Sequence, residues 1–142
     1  MKPANRFSSA LPPDSLGFAL IRAAEVVAAV IAGSPTPQGG FPLKGDRDLR
    51  GAGTSVGRSL DTALAACWNT HARELSPSQR GAVQDLAYGT LRQYGRGDFI
   101  LAHLLRSPLQ EGEDKPGKTL LRALLLTALY RLETRPADAH TI

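Results

Sequence analysis

The sequence predicts an all-α fold. Apolar residues recur three or four positions apart in several separate segments, and residues that cap helices precede most of these segments. No segment alternates apolar and polar residues for long enough to indicate a strand, and no internal repeat is visible. With 142 residues, of which 42% are hydrophobic, the chain is long enough for one domain with a core and too short for an ordinary two-domain enzyme.

Two segments have the composition of mobile chain. Residues 1–13 carry Lys2, Arg6 and three prolines with little to bury, and they are predicted to form a flexible basic arm. Residues 33–57 are rich in glycine, proline and charged side chains, which predicts a mobile loop within a helical domain that spans residues 14–142. Because such a loop buries little, we expect it to be dispensable for folding.

The first predicted helix begins at a cap provided by Asp14 or Ser15 and ends before Gly33. Its inner face is predicted to consist of Leu16, Leu20, Ala23, Val27, Val30 and Ile31. Arg22 and Glu25 are expected to mark its outer side. The same two charges interrupt the apolar run, which argues against a secretory signal and against a membrane span.

A second helix is predicted to begin near Val56 or Arg58 and to end at Leu75. The residues predicted to share its inner face are Leu60, Leu64, Cys67, Trp68 and His71. Cys67 and His71 could present two metal ligands, but a structural zinc site needs four, so core packing is the preferred interpretation and no metal is expected. Cys67 is the only cysteine, which excludes an intrachain disulfide and indicates a reducing cytoplasm.

A third helix is predicted to start at Ser76 and Pro77, since a serine cap followed by proline at the first helical position is a strong start signal. Its core face is predicted to contain Val83, Leu86, Ala87, Leu91 and Tyr94. A basic row on another face is predicted to contain Arg80, Gln84, Tyr88, Arg92 and Arg96. The simplest alternative is that this helix and the next are only two packed helices of an all-α domain.

A fourth helix is predicted to follow Gly95 and Gly97, with Asp98 as its cap. Residues 99–105 leave almost no polar side, so we expect this helix to be buried nearly all round.

The fifth predicted helix, Leu120 to Leu132, is the most apolar of the chain and is expected to be the central one. Lys118 and Arg122 lie in its first turns, where the helix dipole disfavours positive charge. They are therefore candidates to bind an external anion, with simple solvent exposure as the alternative. Pro136 is expected to end the helix.

The net charge of +4 arises from 17 basic and 13 acidic residues and gives a sequence pI near 9.6. This mild excess favours a polyanionic partner without identifying it. The three histidines, one cysteine and scattered carboxylates form no constellation that would indicate a free-standing enzyme. No glycine-rich turn follows a strand, so no cofactor site is expected in this chain.

Three strings carry a resemblance to a known family: QDLAYGTLR at residues 84–92, DFIL at residues 98–101, and LLTALYRL at residues 125–132, followed by Pro136 and His140. In this order and spacing they resemble the NusB-like family, and more closely the N-terminal domain of the bacterial ribosomal RNA cytosine-C5 methyltransferases of the Sun family. The resemblance covers roughly residues 16–142 and is weak before residue 55.

The resemblance implies a NusB-like helical bundle that helps to bind small-subunit ribosomal RNA in the cytoplasm. It also implies a C-terminal catalytic domain that uses S-adenosylmethionine and is absent from this chain, so the chain alone is not expected to be an enzyme. The loop at residues 33–57 is longer than is usual in the family. Relatives continue into another helix after residues 140–142, which implies a fragment of a longer protein and a bundle truncated at its C-terminus.

The RNA-binding residues that this interpretation predicts are Arg80, Tyr88, Arg92, Arg96, Lys118 and Arg122. The arginines of the basic row would contact phosphates, and Tyr88 would stack on an unpaired base. That row could instead face the catalytic domain. The alternative function is a module of the transcription antitermination type, which binds another protein and shares or lacks the RNA contact.

Overall fold

The computed structural model describes residues 11–32, 59–107, 109 and 116–140. It contains the helices α1 (Leu16–Ala32), α2 (Leu60–Thr70), α3 (Pro77–Arg92), α4 (Tyr94–Leu104) and α5 (Pro116–Thr134), followed by a short 3-10 helix (Pro136–His140). None of these described residues forms a strand, which confirms the all-α class. The predicted loop at residues 33–57 and most of the predicted basic arm lie outside the described residues.

The core is built around α1, which packs against α2, α3 and α5. Small side chains on α1, among them Ala19, Ala23 and Ala24, are almost completely buried and allow its neighbours to approach closely. Helix α5 contacts α1, α3, α4 and the 3-10 helix, but its outer side is open and Leu121 is 46% exposed. The expectation that α5 is the central helix is therefore wrong, because α1 holds the more deeply buried position.

The starts of α1 and α3 follow the local cap chemistry. The Ser15 hydroxyl accepts a hydrogen bond from the backbone N–H of Phe18 at 3.2 Å. The Ser76 hydroxyl accepts one from Gln79 at 3.3 Å, and Pro77 occupies the first helical position. Both starts agree with the sequence prediction, because a cap depends only on residues that are neighbours along the chain.

Helix α2 is shorter than predicted at both ends. It begins after Ser59, whose hydroxyl accepts a hydrogen bond from the N–H of Thr62, and it ends at Thr70 with His71 as the C-terminal cap. Of the predicted inner face, Leu64 and Cys67 are buried, and Leu60, Trp68 and His71 are half-buried.

Arg22 is buried, which corrects the expectation that it marks the outer side of α1. Its side chain is 3% exposed, and its guanidinium lies 3.1 Å from the Glu25 carboxylate. The guanidinium also donates a hydrogen bond to the ring of His71, the residue that caps the C-terminal end of α2. The His71 Nδ1 atom lies 3.2 Å from a carboxylate oxygen of Glu74. Burial raises the pKa of Glu25, while Arg22 and His71 oppose this shift. The carboxylate and the imidazole replace the water that the buried guanidinium loses.

The break between α3 and α4 occurs one turn earlier than predicted. Gln93 ends α3 and donates its backbone N–H to the carbonyl of Gly89 at 3.1 Å, and α4 begins at Tyr94. Gly97 and Asp98 therefore lie inside α4, and Asp98 is not a helix cap. Arg96 belongs to α4 and does not continue the row on α3.

Helix α4 is not buried all round, although its sequence is apolar. Phe99 is 66% exposed and Leu104 is 68% exposed, whereas Leu101 is buried. The reason is packing: α4 contacts only α3 and α5, so the face that points away from these helices has no described neighbour.

Candidate nucleic-acid interface

Close packing of α3 against α5 places the end of α3 beside the last turns of α5. A Cβ atom at Gly89 would lie 1.9 Å from Cζ of Tyr130, so only glycine allows this approach. Gln93, Gly97 and Glu133 line one small cleft at the junction with α4. The cleft has room for about one water molecule, at roughly 10 Å³, so it cannot enclose a nucleobase or a cofactor. Any binding at this junction must therefore use the surface around it.

Arg80 lies against α2. Its guanidinium is 5.9 Å from the centre of the Trp68 ring, the residue is half-buried, and its Nε atom is buried without a hydrogen-bond partner among the described residues. The guanidinium therefore covers an aromatic side chain and presents only part of its charge to solvent.

Tyr88 is held by α2 as well. Its hydroxyl donates a hydrogen bond to Oδ1 of Asp61 at 2.9 Å, and this bond raises the pKa of Tyr88. The side chain is 38% exposed. Because the negative charge of Asp61 repels a phosphate, the ring of Tyr88 is a less favourable stacking site for an RNA base than the sequence predicted.

Arg92 is the last residue of α3 and is exposed. Among the described residues it has no salt-bridge partner, and Asp85, two turns earlier, is exposed too. Arg92 and Asp85 form no ion pair with each other. A basic residue at a helix C-terminus is also favoured by the helix dipole.

Arg96 projects from the first turn of α4. Its side chain is 70% exposed, and Nη2 lies 3.0 Å from Oε1 of Glu133 on α5. A surface ion pair of this kind contributes at most about 1 kcal/mol, so Glu133 does not prevent Arg96 from contacting a phosphate.

Lys118 and Arg122 occupy the first turns of α5. Arg122 binds Asp98 with a 2.5 Å contact, is 16% exposed, and lies 5.8 Å from the centre of the Tyr94 ring. The carboxylate of Asp98 therefore pairs with Arg122, a cation for which the sequence suggested an external anion. Lys118 is half-buried.

Sequence reasoning missed several exposed residues on α4 and just after the ends of α4 and α5. Phe99 and His103 form a ring pair on α4, with centroids 4.3 Å apart and planes inclined by 43°. Arg106 and Arg135 are exposed and make no salt bridge with another described residue. The spacing of Phe99 and His103 from Arg96 could have indicated in the sequence that they share its side of a helix. No pattern in the neighbouring sequence distinguishes Arg135.

Metal and thiol chemistry find no support in the described part of the chain. It contains no group of three or more His, Cys, Asp or Glu side chains that could hold a metal ion. Cys67 is buried, and burial raises the pKa of its thiol to about 11. A thiol that stays protonated at neutral pH is a poor nucleophile. No helix within the described residues is long and apolar enough to cross a bilayer.

The chain is similar to a ribosomal RNA enzyme. It is 34% identical over 82 residues to the ribosomal RNA small subunit methyltransferase B of Pseudomonas putida. The matched segment is 58% of this chain and 17% of that protein, so the chain spans about a sixth of the length of this relative. No family model matches the chain. No solved structure matches it either.

Proposed function

We propose that this chain is an RNA-binding domain of a ribosomal RNA cytosine-C5 methyltransferase, and that it positions small-subunit RNA for a separate catalytic domain. The observation that carries the proposal is the similarity to ribosomal RNA small subunit methyltransferase B, which is confined to 17% of that protein. S-adenosylmethionine would bind to the catalytic domain. The NusB-like character of the bundle is part of the proposal and rests on the three strings described above.

The charge distribution supports RNA as the partner. The whole chain carries a net charge of +4, and Arg92 and Arg96 present exposed guanidinium groups at the junction of α3 and α4. Arginine binds phosphate oxygens through paired N–H donors, and such contacts position a protein on RNA without selecting a sequence. Arg92 is the stronger candidate of the two, because no described carboxylate competes for it.

A second candidate function is a protein-docking module, as in the antitermination type. It is favoured by Phe99 and Leu104, two large apolar side chains that α4 exposes to solvent. Exposed apolar side chains of this size often belong to protein interfaces.

The proposal is tested by fluorescence anisotropy with labelled fragments of small-subunit ribosomal RNA and with unrelated RNA of equal length. We expect tighter binding to the ribosomal fragments and a logarithmic affinity that falls linearly with the logarithm of the salt concentration. Equal binding to all RNAs, or none, would contradict the proposal.

Arg92→Ala is the first variant to examine. It should leave the melting temperature nearly unchanged, because the side chain is exposed, and should reduce the salt slope by about one ion. Arg73→Ala is the matched control: Arg73 is also exposed, without a described salt-bridge partner, and lies before the opposite end of α3. A salt slope unchanged by Arg92→Ala would remove Arg92 from the interface.

A further inference from the structure

The outward face of α4 combines basic and aromatic side chains in one line. Arg96, Phe99 and His103 are three and four residues apart, a spacing that places them on the same side of a helix. All three are exposed. Arg106 lies just beyond the end of α4, after Leu105 with its extended backbone, and is exposed as well. We call these four residues the α4 stripe.

From this arrangement we infer that the α4 stripe binds unpaired RNA nucleotides, with bases stacked on Phe99 and His103 and phosphates held by Arg96 and Arg106. This inference rests on the proposed function and adds to it the class of RNA and the residues that contact the bases. Single-stranded RNA is commonly bound by an aromatic surface that lies beside basic side chains.

The two rings of the stripe are held in a fixed relation to each other. The Nδ1–H group of His103 donates a hydrogen bond to the backbone carbonyl of Phe99 at 2.8 Å, which fixes the orientation of the imidazole. The ring centroids are 4.3 Å apart, and 66% of the Phe99 surface remains exposed. A base can therefore contact Phe99 without displacing another described side chain.

The charges beside the rings favour RNA over a protein partner. Arg96 lies one turn before Phe99 on the same side of α4, and Arg106 follows the end of α4 with no salt-bridge partner among the described residues. Leu104, the other strongly exposed apolar residue of α4, lies about 100° away from His103 around the helix axis. An apolar docking face would instead continue from Phe99 to further apolar side chains of the same line.

Tyr88, the residue that the sequence favoured for stacking, does not share these properties. Its hydroxyl is bound to Asp61, and it is 38% exposed against 66% for Phe99. Phe99 thus offers more free ring surface and has no described carboxylate bound to it.

The test compares the binding of a single-stranded RNA of about ten nucleotides with that of an RNA duplex, by fluorescence anisotropy. We expect Phe99→Ala to weaken binding to the single strand about tenfold and to leave duplex binding unchanged, because paired bases cannot reach the ring. Phe99→Leu should behave like Phe99→Ala, since leucine keeps the apolar contact but lacks the aromatic face. Leu104→Ala is the matched control, with equal exposure on the same helix, and should bind both RNAs as the unmodified chain does.

The salt dependence separates the two kinds of contact. Phe99→Ala should leave the salt slope for the single strand unchanged, whereas Arg96→Ala should reduce it by about one ion. Circular dichroism of each variant establishes that the helices are intact.

Full affinity for the single strand in Phe99→Ala or Phe99→Leu would overturn the inference. So would a loss of single-strand affinity in Leu104→Ala equal to that in Phe99→Ala, because it would indicate a general apolar face that suits a protein partner. If the unmodified chain binds neither RNA, the proposed function itself fails. If it binds both and Phe99→Ala changes nothing, only the α4 stripe is excluded.

Discussion

Replacement of Gly89 by alanine should destabilise the domain, although alanine is the better helix former. The new Cβ atom would lie 1.9, 2.2 and 2.4 Å from three atoms at the end of the Tyr130 ring, so the ring must move or the helices must separate. Overpacking of this kind costs about 1–3 kcal/mol. Against it stands a gain of about 0.5–1 kcal/mol, because glycine loses more backbone freedom than alanine when a helix forms.

The expected net effect of Gly89→Ala is a loss of up to about 2.5 kcal/mol in the free energy of unfolding, centred at about 1 kcal/mol. Gly81→Ala is the matched control, because Gly81 lies on the same helix with no atom within 4 Å of the position that a Cβ would take. It should stabilise the domain by about 0.5–1 kcal/mol. Urea denaturation followed by circular dichroism measures both values, and equal denaturant slopes would show that the compactness of the two end states is unchanged.

A double-mutant cycle identifies the cause. In a Tyr130→Ala background the ring is absent, so Gly89→Ala should become stabilising by about the same amount as Gly81→Ala. A coupling energy near zero between positions 89 and 130 would refute the close approach of α3 to α5. So would a Gly89→Ala variant that is as stable as Gly81→Ala.

Two further stability predictions follow from buried polar groups. Arg22→Ala should reduce the free energy of unfolding, measured by urea denaturation, by about 3 kcal/mol, because it removes the partner of Glu25 and His71. A loss of less than about 0.5 kcal/mol would mean that the contacts of Arg22 with Glu25 and His71 are dispensable for stability. The thiol of Cys67 has a pKa of about 11 in the folded state against 9.0 ordinarily, so the stabilisation from its protonated form is complete below pH 9 and is lost between pH 9 and 11. The difference in the free energy of unfolding between the unmodified chain and Cys67→Ala, measured by urea denaturation, should therefore fall as the pH rises through this window. A difference that does not change with pH would contradict the burial of the thiol.

Local chemistry explains which helices the sequence predicted well. The starts of α1 and α3 depend on Ser15, Ser76 and Pro77, whose partners lie within three residues along the chain. All the residues that form such a cap can therefore be read from a short stretch of sequence. The buried residues Leu64 and Cys67 of α2 and Val83, Leu86 and Ala87 of α3 were predicted for a similar reason, since the helical period alone decides which residues share a side; Tyr94, predicted for the α3 face, belongs to α4.

The failures of prediction concern residues whose environment depends on distant chain. Arg22 interrupts an apolar run, which favours a solvent-exposed position, and its partner His71 lies 49 residues away. Phe99 lies in an apolar segment, but α4 has neighbours on only part of its surface, a fact of packing that composition does not contain.

The same dependence on distant chain affects the residues predicted to bind RNA, whose roles stay predictions. The row from Arg80 to Arg96 assumes one continuous helix, and the break at Gln93 divides it. Tyr88 and Arg122 were assigned to external partners, yet Asp61 and Asp98 provide partners within the domain. Arg92 keeps the exposure that the sequence predicted for it, and its role in RNA binding stays a prediction.

The most direct test of the central claim is photo-cross-linking of the unmodified chain to small-subunit ribosomal RNA that contains 4-thiouridine, followed by mass spectrometry of the linked peptides. We expect cross-links concentrated between Arg92 and Arg106, at the end of α3 and along α4. They should diminish as salt is added, because phosphate contacts hold the RNA in place. Cross-links confined to other surfaces, or none above the level seen with unrelated RNA, would contradict it.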